Sequence, residues 1–219
     1  MKIEIVKGSV VHADCDVIVN AANKYLKAGG GVCGAIFSSA GYQDLQKECD
    51  AIGGCQTGHA VMTNGYKLKA KHIIHAVGPS DGDETKLKEA FYNTLVIADS
   101  NNFKTIGLVP ISVGIYGFPL QKCASIAIDV IIAFPCSPLV GSFLLVNFNN
   151  TGVPALKAVF AASKPVSLKK NTPSHSAVHS FAPPILAFQA PVVFVDISID
   201  SADISYDAPL CPPIAFSPI

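Results

Sequence analysis

Val17-Ile18-Val19 runs into Asn20-Ala-Ala-Asn23-Lys-Tyr-Leu-Lys-Ala-Gly29-Gly30-Gly31-Val32-Cys33-Gly34-Ala35-Ile36. An apolar run of this kind reads as a buried strand, and it ends in two amide side chains. Three consecutive glycines follow, then the small-residue segment Gly34–Ala40, which can start a helix and is closed by Gly41. Glycines let the backbone approach a ligand without Cβ interference. Several amide N–H groups can then face one cavity beside the positive end of a helix dipole, an arrangement suited to a phosphate or diphosphate. Asn20 and Asn23 offer both donors and acceptors, as sugar hydroxyls require. In open α/β sheets the carboxyl ends of the strands are where ligands bind.

Composition narrows the chemistry. Lys+Arg and Asp+Glu balance at 16 each, so no basic footprint argues for nucleic acid. Every one of the 16 basic residues is lysine. A bound phosphate must therefore be held by backbone amides, helix termini or lysine point charges, without a guanidinium fork. Seven cysteines, an odd number at irregular spacing, do not look like a disulfide framework. With no signal-peptide pattern at the start, a reducing cytoplasm is the expected compartment. The longest uncharged run, 130–156, is broken by Pro135, Pro138 and Pro154 and makes a poor membrane span.

The chain divides near Phe134. Residues 1–134 hold most of the charge and three of the 15 prolines. There, strands are expected at Ile3–Val6, Val17–Asn20, His59–Thr63 (turned by Asn64-Gly65), Ile73–Val77 and Thr105–Ile111. Helices are expected at Tyr42–Asp50, Glu84–Asn101 and Gln121–Phe134. That alternation predicts an α/β fold: a mixed, largely parallel sheet covered by helices on both faces. Residues 135–219 are apolar and rich in proline. Strands at Leu139–Phe148 and Pro191–Ile199 and a short helix at Ala155–Ser163 are expected in it. The segment reads as a divergent extension, a linker plus one late strand, or a frame-shifted replacement of another end.

The first half resembles a macrodomain, the ADP-ribose-binding family. The resemblance is carried by Asp16-Val-Ile-Val-Asn-Ala-Ala-Asn23, Gly29-Gly-Gly-Val-Cys-Gly-Ala-Ile36, Ala40-Gly41, Gly58-His-Ala-Val-Met-Thr63, Gly65-Tyr66, Ile74-His-Ala-Val-Gly-Pro79 and Pro110-Ile-Ser-Val-Gly-Ile-Tyr-Gly-Phe-Pro119, in the family's order. It implies a three-layer α/β/α sandwich over residues 1–134 with an ADP-ribose cleft at the strand ends. The implied ligand-binding residues are Ser9, Val10, Asn20, Asn23, Gly29, Gly30, Gly31, Val32 and Cys33 on one side. Ser112, Val113, Gly114, Ile115 and Tyr116 form the second loop, with the Tyr116 ring packing against a sugar. Asn23, positioning the distal ribose, and Gly30 in the phosphate cradle are the residues implied for catalysis. Asn20 is expected to support the loop from behind. His75 is expected to be a satisfied core histidine. No cofactor or metal is implied, although Cys49, Cys55 and His59 are spaced in a way that invites the question. ADP-ribose or an ADP-ribosylated protein is the implied partner.

Three departures from the family pattern bear on function. Ser9 stands where many members carry the aspartate that reads adenine, which removes a charge-assisted contact of about 1.5–3 kcal/mol. Cys33 stands where the hydrolytic branch carries an aspartate. No histidine lies near Cys33 in sequence to act as its base, so it reads as a small wall residue. Beyond Phe134 the family's last strand and helix have no clear match, and Pro191-Val-Val-Phe-Val-Asp196 is the candidate strand. Three functions stay open on sequence alone: an ADP-ribosyl-ester hydrolase or O-acetyl-ADP-ribose deacetylase, a non-catalytic ADP-ribose reader, and a defective product with an incomplete cleft.

Overall fold

A computed structural model describes residues 2–134, 142–147 and 196–198. Seven strands form one sheet: β1 (Lys2–Lys7), β2 (Val17–Ala22), β3 (Ala60–Asn64), β4 (His72–Val77), β5 (Thr105–Leu108), β6 (Ser142–Asn147) and β7 (Asp196–Ser198). Their order is β3-β4-β2-β5-β6-β1-β7. The five inner strands are parallel, and the two edge strands run antiparallel to their neighbours. Helices α1 (Gly31–Ala40) and α2 (Tyr42–Ile52) cover one face; α3 (Glu84–Ser100) and α4 (Leu120–Ala133) cover the other. This is the expected three-layer α/β/α sandwich with a mixed, largely parallel sheet.

Alternation along the strands sorts side chains between the two layers. Val17 and Val19 of β2 and Ile74 and Ala76 of β4 enter the core shared with α3 and α4. Ile18 and Ala22 of β2 and Ile73 and Val77 of β4 enter the core under α1 and α2. Asn20 and His75 therefore share the α1 side, and the parallel register places them as direct neighbours. In α1 the buried Cys33, Ile36, Phe37 and Ala40 recur at i, i+3, i+4 and i+7, which makes one face of the helix apolar. Asp83 caps α3 by accepting from the Thr85 and Lys86 amides.

One expectation holds in part and two need correction. A strand forms within the expected Leu139–Phe148, and it takes the place for which 191–196 was a candidate. Ser142–Asn147 lies between β5 and β1, parallel to both. β7 instead adds a short antiparallel edge to β1, and residues 191–195, like the expected helix at Ala155–Ser163, lie outside the described residues. Asn64-Gly65 is not a two-residue hairpin turn. The connection is longer, closed by the Gly65 amide donating to Lys71 O at 2.7 Å, with Tyr66 at φ +51. β5 stops at Leu108 rather than Ile111, because Pro110 has no N–H for the ladder and Ser112 turns the chain at φ +64.

Asp16 joins β2 to β5. Its carboxylate accepts from the Lys104 and Thr105 amides and the Thr105 hydroxyl, at 2.8–3.0 Å. Partial burial alone would raise its pKa, but these hydrogen bonds outweigh it and hold the group below its ordinary 3.8. A depressed carboxyl pKa contributes stability above the ordinary value and loses it as pH falls through the folded value. Asp16→Ala is expected to lower stability by about 1–2 kcal/mol at pH 7 in urea denaturation. The gap between variant and parent should close below pH 4, and a gap of equal size at pH 7 and pH 3 would refute the assignment.

Candidate functional site

The candidate site lies around the carboxyl ends of β2, β4 and β5, where open α/β sheets bind ligands. Asn20 is fully buried there. Its Nδ2 lies 3.0 Å from His75 Nδ1 and 3.6 Å from Cys33 Sγ. His75 Nε2 is 2.8 Å from Thr63 Oγ1, and the Thr63 hydroxyl donates to Asn64 O at 3.3 Å. With that hydroxyl proton committed, Thr63 accepts from His75, so the ring proton sits on Nε2 and Nδ1 accepts from Asn20. His75 is thus a satisfied core histidine and Asn20 a support under the loop. Burial pushes the His75 pKa down to about 4.

Asn23 holds its own turn. Its Oδ1 accepts from the Tyr25 and Lys27 amides at 3.1 and 3.2 Å, and its Nδ2 donates to Lys27 O at 2.6 Å. Leu26, at φ +54, is buried beneath that turn. One N–H of the Asn23 amide is left over for a ligand. From outside, Gln46 of α2 clamps the same segment, accepting from the Ala28 amide at 3.0 Å and donating to Leu26 O at 3.3 Å. Gln46 carried no signal in the sequence beyond its place on a helix.

The glycine loop then opens onto solvent. Gly29, Gly30 and Gly31 are exposed, and a Cβ on any of them would meet nothing within 4 Å. Gly31 needs to be glycine for its φ of +60, whereas Gly30 sits at φ −84, which any residue adopts. Packing therefore gives no reason for glycine at 30. Gly34 is different: a Cβ there would stand 2.5 Å from Gly29 O, so the loop folds directly onto the helix. No side chain caps α1, which leaves the first-turn amides of Gly31, Val32 and Cys33 available to an anion.

The second loop follows β5, the neighbour of β2 in the sheet. Gly78 at the end of β4 admits this loop, since an added Cβ would overlap Ser112 Oγ and Ile111 Cγ2. Phe118 N donates to Ser112 O at 3.0 Å and Cys123 Sγ to Ile111 O at 3.3 Å, which anchors the base. Val113 is half-buried, Gly114 is exposed, and Ile115 forms the tip at 91% exposure. Tyr116 is half-buried and lines a cleft of about 340 Å³ with Ser80, Asp81, Gly82, Phe118 and Lys122. Ser9 and Val10 open a 3-10 turn after β1; Ser9 is half-buried with no capping bond, and the Val10 side chain is in the core. The Asn20 Oδ1 and Ser112 Oγ oxygens are buried without partners among the described residues.

Cysteine chemistry is subdued. Cys49 faces His75 at 4.0 Å and its thiol is pushed up to about 12 by burial. Cys55 donates to Gln56 O instead. Among the described residues no group of three or more His, Cys, Asp or Glu is arranged to hold a metal ion. Among them, too, no helix is long and apolar enough to cross a membrane.

A central parallel sheet with a glycine loop on one strand end and an anchored second loop on the next defines a ligand-binding α/β domain. The chain matches the macro domain family over residues 19–127. It is 44% identical over 138 residues to a macro domain-containing protein of Caldanaerobacter subterraneus, covering 59% of this chain and 79% of that protein. It is 42% identical over 142 residues to a Salmonella newport protein named O-acetyl-ADP-ribose deacetylase, covering 61% and 79%. Among solved structures, an Oceanobacillus iheyensis macrodomain with ADP aligns with a TM-score of 0.68 at 33% identity, covering 73% of this chain and 90% of that one. A Trypanosoma brucei macrodomain in complex with ADP-ribose aligns with a TM-score of 0.68 at 34% identity, covering 72% and 68%. The chain belongs to the macrodomain family.

Two outcomes follow from this geometry. Gly30→Val is expected to leave the melting temperature within a few degrees of the parent, whereas Gly34→Ala should lower stability by about 1–3 kcal/mol through overpacking against Gly29 O. Equal melting of the two variants would refute the distinction. His75, with a folded pKa of about 4 against an ordinary 6.5, resists a proton that the unfolded chain accepts. Its contribution is complete above pH 6.5 and shrinks as pH falls toward 4, by up to about 1.4 kcal/mol per unit. Urea denaturation from pH 7.5 to 4.5 measures it, and stability that stays flat over that range would sink the claim.

Proposed function

We propose that the cleft binds ADP-ribose and hydrolyses ADP-ribosyl esters, with water as the nucleophile and ADP-ribose and a carboxylic acid as products. The observation that carries the binding is Gly30: the fold does not need glycine there, but a diphosphate approaching the uncapped start of α1 does. Relatives support the reading, since one is named a deacetylase of O-acetyl-ADP-ribose and another is solved with ADP-ribose. The amides of the glycine loop and of Gly114 and Ile115 would hold the diphosphate, and preorganised donors of this kind stabilise developing charge. Asn23 would orient the distal ribose with its remaining N–H. Cys33 supplies no carboxylate, so deprotonation of the water would fall to the ligand's own phosphate.

A reader module that binds without cleaving is the second reading. It is favoured by Cys33 and by the commitment of the Asn23 amide to its own turn. Incubation with a protein mono-ADP-ribosylated on acidic residues separates the two. Release of free ADP-ribose supports hydrolysis, while calorimetric binding without release leaves the reader. Absence of both heat and thermal shift with ADP-ribose would overturn the cleft altogether. In the enzyme reading, Asn23→Ala loses turnover at least tenfold while ADP-ribose affinity falls only a few-fold. Equal turnover in variant and parent would remove Asn23 from the mechanism.

A further inference from the structure

We propose that Cys33 is a positioning residue of this cleft, its thiol being the link through which the buried Asn20–His75 pair fixes the Asn23 turn. The proposal rests on reading the cleft as an ADP-ribose site, and it gives this chain's cysteine a task there that needs no carboxylate.

The hydrogen bonds form one directional series. Thr63 donates to Asn64 O and accepts from His75 Nε2; His75 Nδ1 accepts one Asn20 N–H. The second Asn20 N–H points to Cys33 Sγ at 3.6 Å. Cys33 in turn donates its S–H to Lys27 O at 3.8 Å, the same carbonyl that accepts from Asn23 Nδ2 at 2.6 Å. Each donor in the series has an acceptor, from β3 through β4 and β2 to α1 and the loop; at His75 Nε2 the Thr63 oxygen at 2.8 Å is much nearer than Cys49 Sγ at 4.0 Å. Reversing the His75 tautomer would place an N–H against Asn20 and turn its amide round. Cys33 would then lose its donor.

This arrangement also sets the thiol's chemistry. Its proton is used toward Lys27 O, and the imidazole nitrogen on the Cys33 side, Nδ1, is already taken by Asn20. Cys33 is 6% exposed within the apolar stripe of Ile36, Phe37 and Ala40, where alanine would pack almost as well. Alanine cannot bridge. Serine can, with a stronger donor and acceptor than sulfur.

The test uses the full chain as parent, Cys33→Ala and Cys33→Ser. Ligand-free hydrogen exchange is read at the Tyr25 and Lys27 amides, and calorimetry then measures ADP-ribose. Cys33→Ala should exchange about two- to tenfold faster at those amides and bind ADP-ribose weaker by a similar factor, with melting nearly unchanged. Cys33→Ser should restore both. Thr63→Val supplies an independent variant: His75 ring ¹⁵N shifts should lose their pure Nε2–H signature, and its effect on Lys27 exchange should be non-additive with Cys33→Ala. Unchanged exchange in Cys33→Ala, serine behaving as alanine, or strict additivity with Thr63→Val would each overturn the proposal. So would faster exchange with unaltered affinity. A parent that fails to bind ADP-ribose refutes the proposed function instead, and the exchange and ring-shift data still decide the series.

Discussion

Asn20 is an amide side chain with no solvent exposure, set in an inner strand of the sheet, and such a group costs about 1–3 kcal/mol if left unpaired. Parallel pairing of β2 with β4 gives it a neighbour of complementary chemistry, His75, in direct register. That pairing needs an unprotonated Nδ1, which in turn needs the Nε2 proton to find an acceptor on β3. Thr63 meets the requirement across the antiparallel edge pair. Three strands and α1 are thereby tied to one protonation state, and burial keeps the histidine in it.

The glycines of the cleft fall into two kinds on this frame. Gly34 and Gly78 are demanded by packing: one admits the loop onto α1, the other admits the second loop onto β4. Gly31 is demanded by its backbone angle. Gly29 and Gly30 face open space, so their lack of side chains keeps the approach to the α1 amides clear. The wall is stiff beneath that opening. Asn23 and Cys33 hold the preceding turn from within, and Gln46 holds it from α2.

Much of this was legible in the residues. Strand and helix alternation over Lys2–Phe134 read through because apolar periodicity and glycine punctuation are local signals. The glycine loop was legible for the same reason, whereas the second loop and the supporting role of Asn20 came from the family resemblance. What failed was long-range. A strand within Leu139–Phe148 was expected, but the place of Ser142–Asn147 between β5 and β1 is set by pairing with strands distant in sequence, which no local signal shows. Cys33 showed no histidine nearby because His75 reaches it through Asn20, a relation that only strand register creates. Tyr116 was placed by motif alone, and its neighbours Ser80, Asp81 and Lys122 are set by tertiary packing that no local signal shows.

The absence of arginine links the two loops physically. Amide N–H groups carry partial charges, and each amide–phosphate contact is weakened while water competes for it. Ile115 stands 91% exposed on a loop whose base is fixed at Ser112, Ile111 and Phe118. An aliphatic tip adds no hydrogen bond, but over a bound diphosphate it would exclude water from the amides of both loops. Its own burial would contribute up to about 1.5–3 kcal/mol. Lower local dielectric then strengthens every remaining amide contact, which is what a guanidinium would otherwise supply by charge. On the ADP-ribose reading, the exposed isoleucine and the missing arginine are two sides of one solution: neutral donors made sufficient by shutting out solvent.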